Sequence, residues 1–218
     1  YMKDKFGYLP PEQRKKIMLI CDDIRVHSGI ATVAREIVLH TAQHFNWVNI
    51  AGAVTHPEKG KKLDLSEDTN KNSGLTDSSV VMYPVDGYGT QEFIRSLMMR
   101  EKPDIVWMMT DPRFYTWLWQ IEQEIRSNVP IVYYHVWDNY PYPKFNKPFY
   151  DSNDVIATIS KVTDDIVRTV SPDVETCYIP HAIDQNLFYP MSEEEIKRAK
   201  KSHFPKIKDD TMIIFWNS

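Results

Sequence analysis

One histidine lies inside an aromatic run: Tyr133, Tyr134, His135, Val136, Trp137, Asp138, Asn139 and Tyr140 follow one another. An imidazole titrates near neutral pH and works as acid, base or orienting hydrogen-bond partner. With Asp138 close by, His135 is the candidate catalytic group, suited to orient a hydroxyl or carry a proton. The neighbouring rings offer faces on which a sugar stacks. The plainer alternative is a histidine satisfied by a backbone carbonyl under the proline-rich segment that follows. Taken alone, the run favours that alternative.

A second group is His27, Ser28 and Gly29, which lead into a helical pattern. A glycine at a helix N-terminus lets backbone N–H groups approach an anion, and the helix dipole favours negative charge there. Ser28 and Gly29 are therefore candidate donor-phosphate contacts, or simply a serine cap and a tight turn. There is no GxGxxG and there are only 7 glycines, which argues against a nicotinamide dinucleotide site. The pair Asp22 and Asp23 after the first strand raises the phosphorelay receiver domain as a rival. That fold needs an aspartate ending the next-but-one strand and a lysine after the fifth. Here Pro84 and Val85, and then His135, stand at those places. No metal-ligand spacing such as CxxC or HExxH occurs, and no metal is expected.

Composition narrows the classes further. The 218 residues carry a net charge of −4, with 42% hydrophobic and 26% charged residues. That balance belongs to a globular chain and gives no basic field for nucleic acid. No apolar run approaches the roughly 18 residues of a membrane span. The first sixteen residues are charged and proline-broken, unlike a signal peptide. Cys21 and Cys177 sit in apolar runs, so both are expected as reduced, buried thiols in a cytoplasmic protein.

These residues must be held by elements, and the chain alternates strand and helix patterns. Short apolar runs at 17–21, 48–54, 79–83, 104–109, 131–134, 155–158 and 175–179 read as strands. Between them Ile30, Val33, Ala34, Ile37 and Val38 follow helical spacing, as do Phe93, Ile94, Leu97 and Met98. Trp117, Leu118, Ile121 and Ile125 mark another helix, and Val162, Ile166, Val167 and Val170 one more. Residues 57–78 are polar and read as a long surface loop, and 141–148 as irregular. Trp107, Trp117 and Trp119 fall at core positions. A charged helix at 193–201 and a strand at 212–216 follow.

Strands apolar on both faces belong to parallel sheets covered by helices. The fold class is therefore α/β, a doubly wound, Rossmann-like parallel sheet of about seven strands in the order 3-2-1-4-5-6. Ligands of such sheets bind beyond the carboxyl ends of the strands. This predicts that Ser28, Gly29, His135, Asp138 and Ser160 line one concave edge, with Asn139 and Tyr140 beside them. Residues 1–179 make this domain, 180–210 a linker and helix, and 211–218 the first strand of a second domain that the sequence does not complete.

The most specific stretch comes last. Ile156, Ser160 and Asp164 on strand, turn and helix are followed by Ile179, Pro180, His181, Ala182, Ile183 and Asp184, then Phe188 and Pro190. This resembles family 4 glycosyltransferases of the GT-B class, whose pattern is Ile-Pro-Asn-Gly-Val-Asp and then Phe-x-Pro. His181 and Ala182 replace the usual Asn-Gly. Ser28 and Gly29 with the helix after them look like the family's Gly-Gly loop with one glycine missing. The resemblance implies two Rossmann-like domains facing across a cleft, and transfer of a sugar with retention and without a required metal. The partners would be a nucleotide-sugar donor and a glycosyl acceptor; no other cofactor is implied. The N-terminal domain would bind the acceptor through Asp138, Asn139, Tyr140 and Ser160. The groups that hold the donor's diphosphate would lie in the missing C-terminal domain. The alternatives are a GT-B-like binding module without catalysis and, less well supported, a GT-B-fold sugar-nucleotide epimerase.

Overall fold

The computed structural model describes residues 7–208, 210–214 and 216. Contacts divide the chain into two units, Tyr1–His181 and Ala182–Ser218. In chain order the first unit holds β1 (Lys15–Asp22), α1 (Gly29–Thr41), β2 (Phe45–Gly52), β3 (Leu63–Asp64), α2 (Ser66–Ser73), β4 (Val80–Pro84) and α3 (Gln91–Glu101). Then come β5 (Ile105–Met109), α4 (Thr116–Trp119), α5 (Glu122–Arg126), β6 (Ile131–His135), α6 (Lys147–Asp151), β7 (Val155–Thr158), α7 (Lys161–Val170) and β8 (Glu175–Tyr178).

The strands form one sheet in the order β3-β4-β2-β1-β5-β6-β7-β8. Every pairing is parallel except the short β3–β4 contact. Without β3, the seven parallel strands run 3-2-1-4-5-6-7 in chain order, the expected doubly wound arrangement. The order reverses between β1 and β5, so the topological switch lies beyond Asp22 and Met109.

Strand side chains alternate between two cores, as a period of two requires. Met18, Ile20, Val48, Ile50, Val106, Met108 and Tyr133 point to one face, where α3, α5 and α7 contribute Ile94, Leu97, Ile125, Ile166 and Val167. Ile17, Leu19, Cys21, Trp47 and Tyr134 point to the other, against Ala34 and Val38 of α1. The helix starts follow cap chemistry. Ser28, Thr90 and Ser160 each accept a hydrogen bond from the backbone N–H three residues on.

Several expectations are corrected, among them the single helix through Trp117 and Ile125, which forms as α4 and α5. Residues 57–78 are not a bare loop, since β3 and α2 lie within them. α2 has almost no apolar residues; its contact face is made of buried Thr69 and Ser73 and it ends at left-handed Gly74, so hydropathy could not reveal it. The segment 141–148 contains the start of α6, with Pro148 near its first turn. Cys21 is buried but Cys177 is exposed, because β8 is the sheet's edge strand and lacks a cover there. In the second unit, α8 (Glu193–His203) opens with a capping box between Ser192 and Glu195. Met212, Ile213 and Ile214 are not in a strand, with Met212 and Ile214 largely exposed; a strand needs a neighbour to pair with, and none pairs with this run among the described residues. Phe215 lies outside them.

Candidate functional site at the carboxyl edge of the sheet

The turn from β1 into α1 is organised by one hydroxyl. Ser28 Oγ accepts from the Ala31 N–H at 3.0 Å and donates to Asp22 Oδ2 at 2.6 Å. The other oxygen, Asp22 Oδ1, accepts from the Tyr88 hydroxyl at 2.9 Å. Asp22 is only 6% exposed, so both oxygens need partners. Burial first, and then the bond to Asp22, push the Tyr88 phenol far above its usual range, which keeps it a donor. Asp23 is held by Arg25 through both carboxyl oxygens, at 3.0 and 2.7 Å. Desolvation works to raise the Asp23 carboxyl, but the Arg25 hydrogen bonds and charge outweigh it and hold it below the usual range.

Tyr88 reaches Asp22 because two chain segments touch backbone to backbone. A Cβ at Gly52 would lie 2.0 Å from the Gly87 carbonyl oxygen and 2.8 Å from the Tyr88 ring. Only glycine fits that contact. The next residue, Ala53, donates its N–H to the same Gly87 oxygen at 3.1 Å. The Tyr88 ring also stacks on exposed Phe114, with centroids 5.3 Å apart. Gly29 differs from Gly52: a Cβ there would meet no atom within 4 Å. The N-terminus of α1 is therefore open.

Across the switch, Thr110 follows β5 with φ of 108°. A β-branched residue in that region costs about 1–3 kcal/mol and persists only when its surroundings enforce it. Here buried hydroxyls hold the two carbonyls at this point. The Tyr115 hydroxyl shares its one hydrogen between the Met109 oxygen at 2.5 Å and the Ile20 oxygen at 2.8 Å, and Tyr133 donates to the Thr110 oxygen. Asp111 then caps the turn Pro112–Tyr115 and pairs with Arg113. Desolvation works to raise its carboxyl, but the Arg113 bonds prevail and hold it low. The Arg113 guanidinium lies over the Trp137 ring, 5.4 Å from its centroid.

His135 ends β6 with no exposed surface. Its Nδ1 is 3.2 Å from the Tyr133 hydroxyl and its Nε2 is 2.6 Å from the Tyr150 hydroxyl. Desolvation lowers its pKa to about 3, with the charge of Asp111 opposing, so the ring is neutral. The partners are tyrosine hydroxyls rather than the backbone carbonyl of the plainer reading, and neither ring nitrogen faces solvent.

The expected site residues thus separate into two groups. Ser28 joins Asp22 and Tyr88 at the mouth of α1, where Gly29 opens the helix. His135 is buried with Tyr133 and Tyr150, and half-buried Trp137 stacks on its ring. Asp138, Asn139 and Tyr140 lie exposed on the loop after β6. The Ser160 hydroxyl is taken up by the cap of α7, 3.0 Å from the Thr163 N–H and 2.9 Å from its Oγ1. Sequence reasoning placed Thr110 to Arg113 on this edge but missed Tyr88, Asn146 and Tyr150. Tyr88 carried one signal, a lone ring between Gly87 and Gly89 just after a strand. Among the described residues no three His, Cys, Asp or Glu side chains are grouped to hold a metal, and no helix is long and apolar enough to cross a membrane.

No protein-family model matches the chain, and no curated protein matches it. Among solved structures it is similar to one described as the OtsA apo structure, with a TM-score of 0.47 and 9% identity, covering 86% of this chain and 55% of that one. The chain therefore spans about half the length of that structure. A likeness at this level bears no weight for function.

Proposed function

We propose that the unit Tyr1–His181 is the acceptor-binding half of a retaining GT-B glycosyltransferase, which moves a sugar from a nucleotide-sugar to a glycosyl acceptor. The observation that carries this reading is the cluster of Asp22, Ser28 and Tyr88 at the topological switch, beside a helix N-terminus left open at Gly29. The run from Pro180 to Asp184 with Phe188 and Pro190 supports it through its resemblance to family 4 enzymes. In this reading Ser28 and Gly29 meet the donor phosphates with backbone N–H groups and the helix dipole. α1 carries no acidic residue in its first turn, whereas α2, α3 and α7 do. The Asp22 carboxylate at this helix start is taken up by Ser28 and Tyr88. The exposed loop of Asp138, Asn139 and Tyr140, with the rim at Ser160, receives the acceptor. His135 acts on this edge through its neighbours. Neutralising the departing diphosphate is an electrostatic task assigned to the second half of the cleft.

Titration of the ¹⁵N-labelled chain with UDP-glucose and other nucleotide-sugars tests the reading. The expected result is weak binding, with amide shifts at Ser28 through Ala31 and at Asp111, and no sugar transfer by this chain. Gly29→Asp should abolish those shifts while leaving stability equal or higher by about 0.3–1 kcal/mol, since an acid favours a helix start. Unchanged shifts in that variant would sink the phosphate assignment. Micromolar affinity, about −8 kcal/mol, would overturn the division of labour between the two halves.

A further inference from the structure

The Thr110 carbonyl ends a hydrogen-bonded chain that runs back through three elements. The direction of every proton in it is forced. A carbonyl only accepts, so Tyr133 spends its single proton on the Thr110 oxygen. The Tyr133 oxygen, 3.2 Å from His135 Nδ1, must then accept, so Nδ1 carries the hydrogen. A neutral imidazole has one N–H, which leaves Nε2 bare to accept from the Tyr150 hydroxyl at 2.6 Å. The Tyr150 oxygen in turn accepts from Asn146 Nδ2 at 3.2 Å. His135, Asn146 and Tyr133 are fully buried, as is Tyr150. The chain thus links α6 and its lead-in, β6, and the residue past β5.

From this geometry we infer that His135 is a positioning residue: fixed as the Nδ1–H tautomer, it holds Tyr133 against the Thr110 carbonyl and so clamps Thr110 and Asp111 in the left-handed turn that shapes the switch-point edge. The functional consequence rests on the proposal that this edge is the ligand site. Thr110 does not adopt φ of 108° by preference. The turn it makes sets Asp111, which carries Arg113 onto Trp137. Releasing the Thr110 carbonyl lets the residue relax to negative φ and withdraws that frame. Tyr150 takes part because its hydroxyl hydrogen satisfies the bare Nε2, and Asn146 because it donates to the Tyr150 oxygen. His135 neither touches the bound sugar nor transfers a proton to it; its contribution is passed through Tyr133.

Two measurements on the full chain need no ligand. In ¹⁵N spectra of the imidazole, His135 should show a protonated Nδ1 and a bare Nε2. Tyr133→Phe should erase that preference, because Nδ1 loses the acceptor that fixes its hydrogen, whereas Tyr150→Phe should leave Nδ1 protonated. The opposite tautomer in the unsubstituted chain would overturn the inference without any variant. The second measurement is a double-mutant comparison by urea denaturation. Tyr133→Phe should destabilise the chain, whereas Thr110→Gly should stabilise it, since glycine adopts this φ freely. In the Thr110→Gly background the effect of Tyr133→Phe should shrink at least threefold, because no strained turn remains to be clamped. Additive effects would overturn the clamp. With UDP-glucose as probe, Thr110→Gly should bind at least tenfold more weakly despite its greater stability; unchanged affinity would separate the turn from the site. An absence of UDP-glucose binding in the unsubstituted chain would count against the site proposal alone, since the tautomer and the double-mutant comparison stand without it.

Discussion

His135 turns a buried ring into a pH-dependent term. Burial depresses its folded pKa to about 3, well below the ordinary imidazole value of about 6.5. The unfolded chain therefore takes up the proton first as pH falls. The stability it contributes is fully present above about pH 6.5 and is lost progressively below that, by up to about 1.4 kcal/mol per pH unit. The groups facing the ring are Tyr133, Tyr150 and Trp137, and Asp111 is the charge that acts on it among the described residues. The low carboxyls of Asp23, Asp111 and Asp164 act in the same sense but at lower pH, because their unfolded values lie near 3.8. His181, stacked on Tyr134 and also lowered by burial, adds a smaller contribution in the same window. Urea midpoints between pH 6.5 and 4.5 should fall steadily in the unsubstituted chain and lose most of that slope in His135→Gln. An equal slope in both would mean that the ring is protonated or solvated in the folded state. The residue type and its place after a strand were legible in the sequence. Its partner Tyr150 lies fifteen positions away, and nothing in local spacing marks that contact.

At the scale of elements, the contact between β2 and the loop after β4 is the most sensitive to substitution. Gly52 meets the Gly87 carbonyl, and that loop presents Tyr88 to Asp22. Gly52→Ala would force backbone against backbone, and the loop must move. It should cost about 1–3 kcal/mol, the usual range for overpacking. The effect should reach further than stability: the ring of Tyr88 should lose its stack on Phe114 and its bond to Asp22, visible as changed amide shifts at Asp23 and Ser28. Stability unchanged within error would show that the two segments do not touch. By contrast, the seven parallel strands and α1, α3 and α7 were legible from apolar periodicity, because each buries a face that period alone defines. Trp117 to Ile125 read as one helix but forms two short ones, α4 and α5, with Ile121 between them. The apolar spacing was the same in both cases, and only the break at Ile121 differed. β3 is two residues long and α2 packs through Thr69 and Ser73, so neither leaves a hydrophobic pattern to read.

At the scale of the whole molecule, both hydrophobic cores are built from residues between Ile17 and Val174. A chain ending at His181 should therefore fold cooperatively, with a thermal midpoint within about 4 °C of the full chain, equivalent to less than roughly 1–2 kcal/mol at this size. Circular dichroism melts of the two chains test this. A fall of more than about 10 °C would show that residues 182–218 carry part of the first unit's stability.

The sequence by itself determined the class of fold and predicted the strand order that the sheet shows. Strands apolar on both faces demand helices on both sides, and the order expected was the common one among the few that right-handed crossovers allow. It also identified Ser28 as a cap, because capping is a bond within three residues. Tertiary structure alone decided which side chains meet at the carboxyl edge of the sheet. Tyr88 bonds to Asp22 across sixty-six positions and Tyr115 to Ile20 across ninety-five. Thr110 is driven to positive φ by hydroxyls from two different segments. Such contacts depend on the packed distances between strands that are not neighbours in sequence, and no local pattern encodes them.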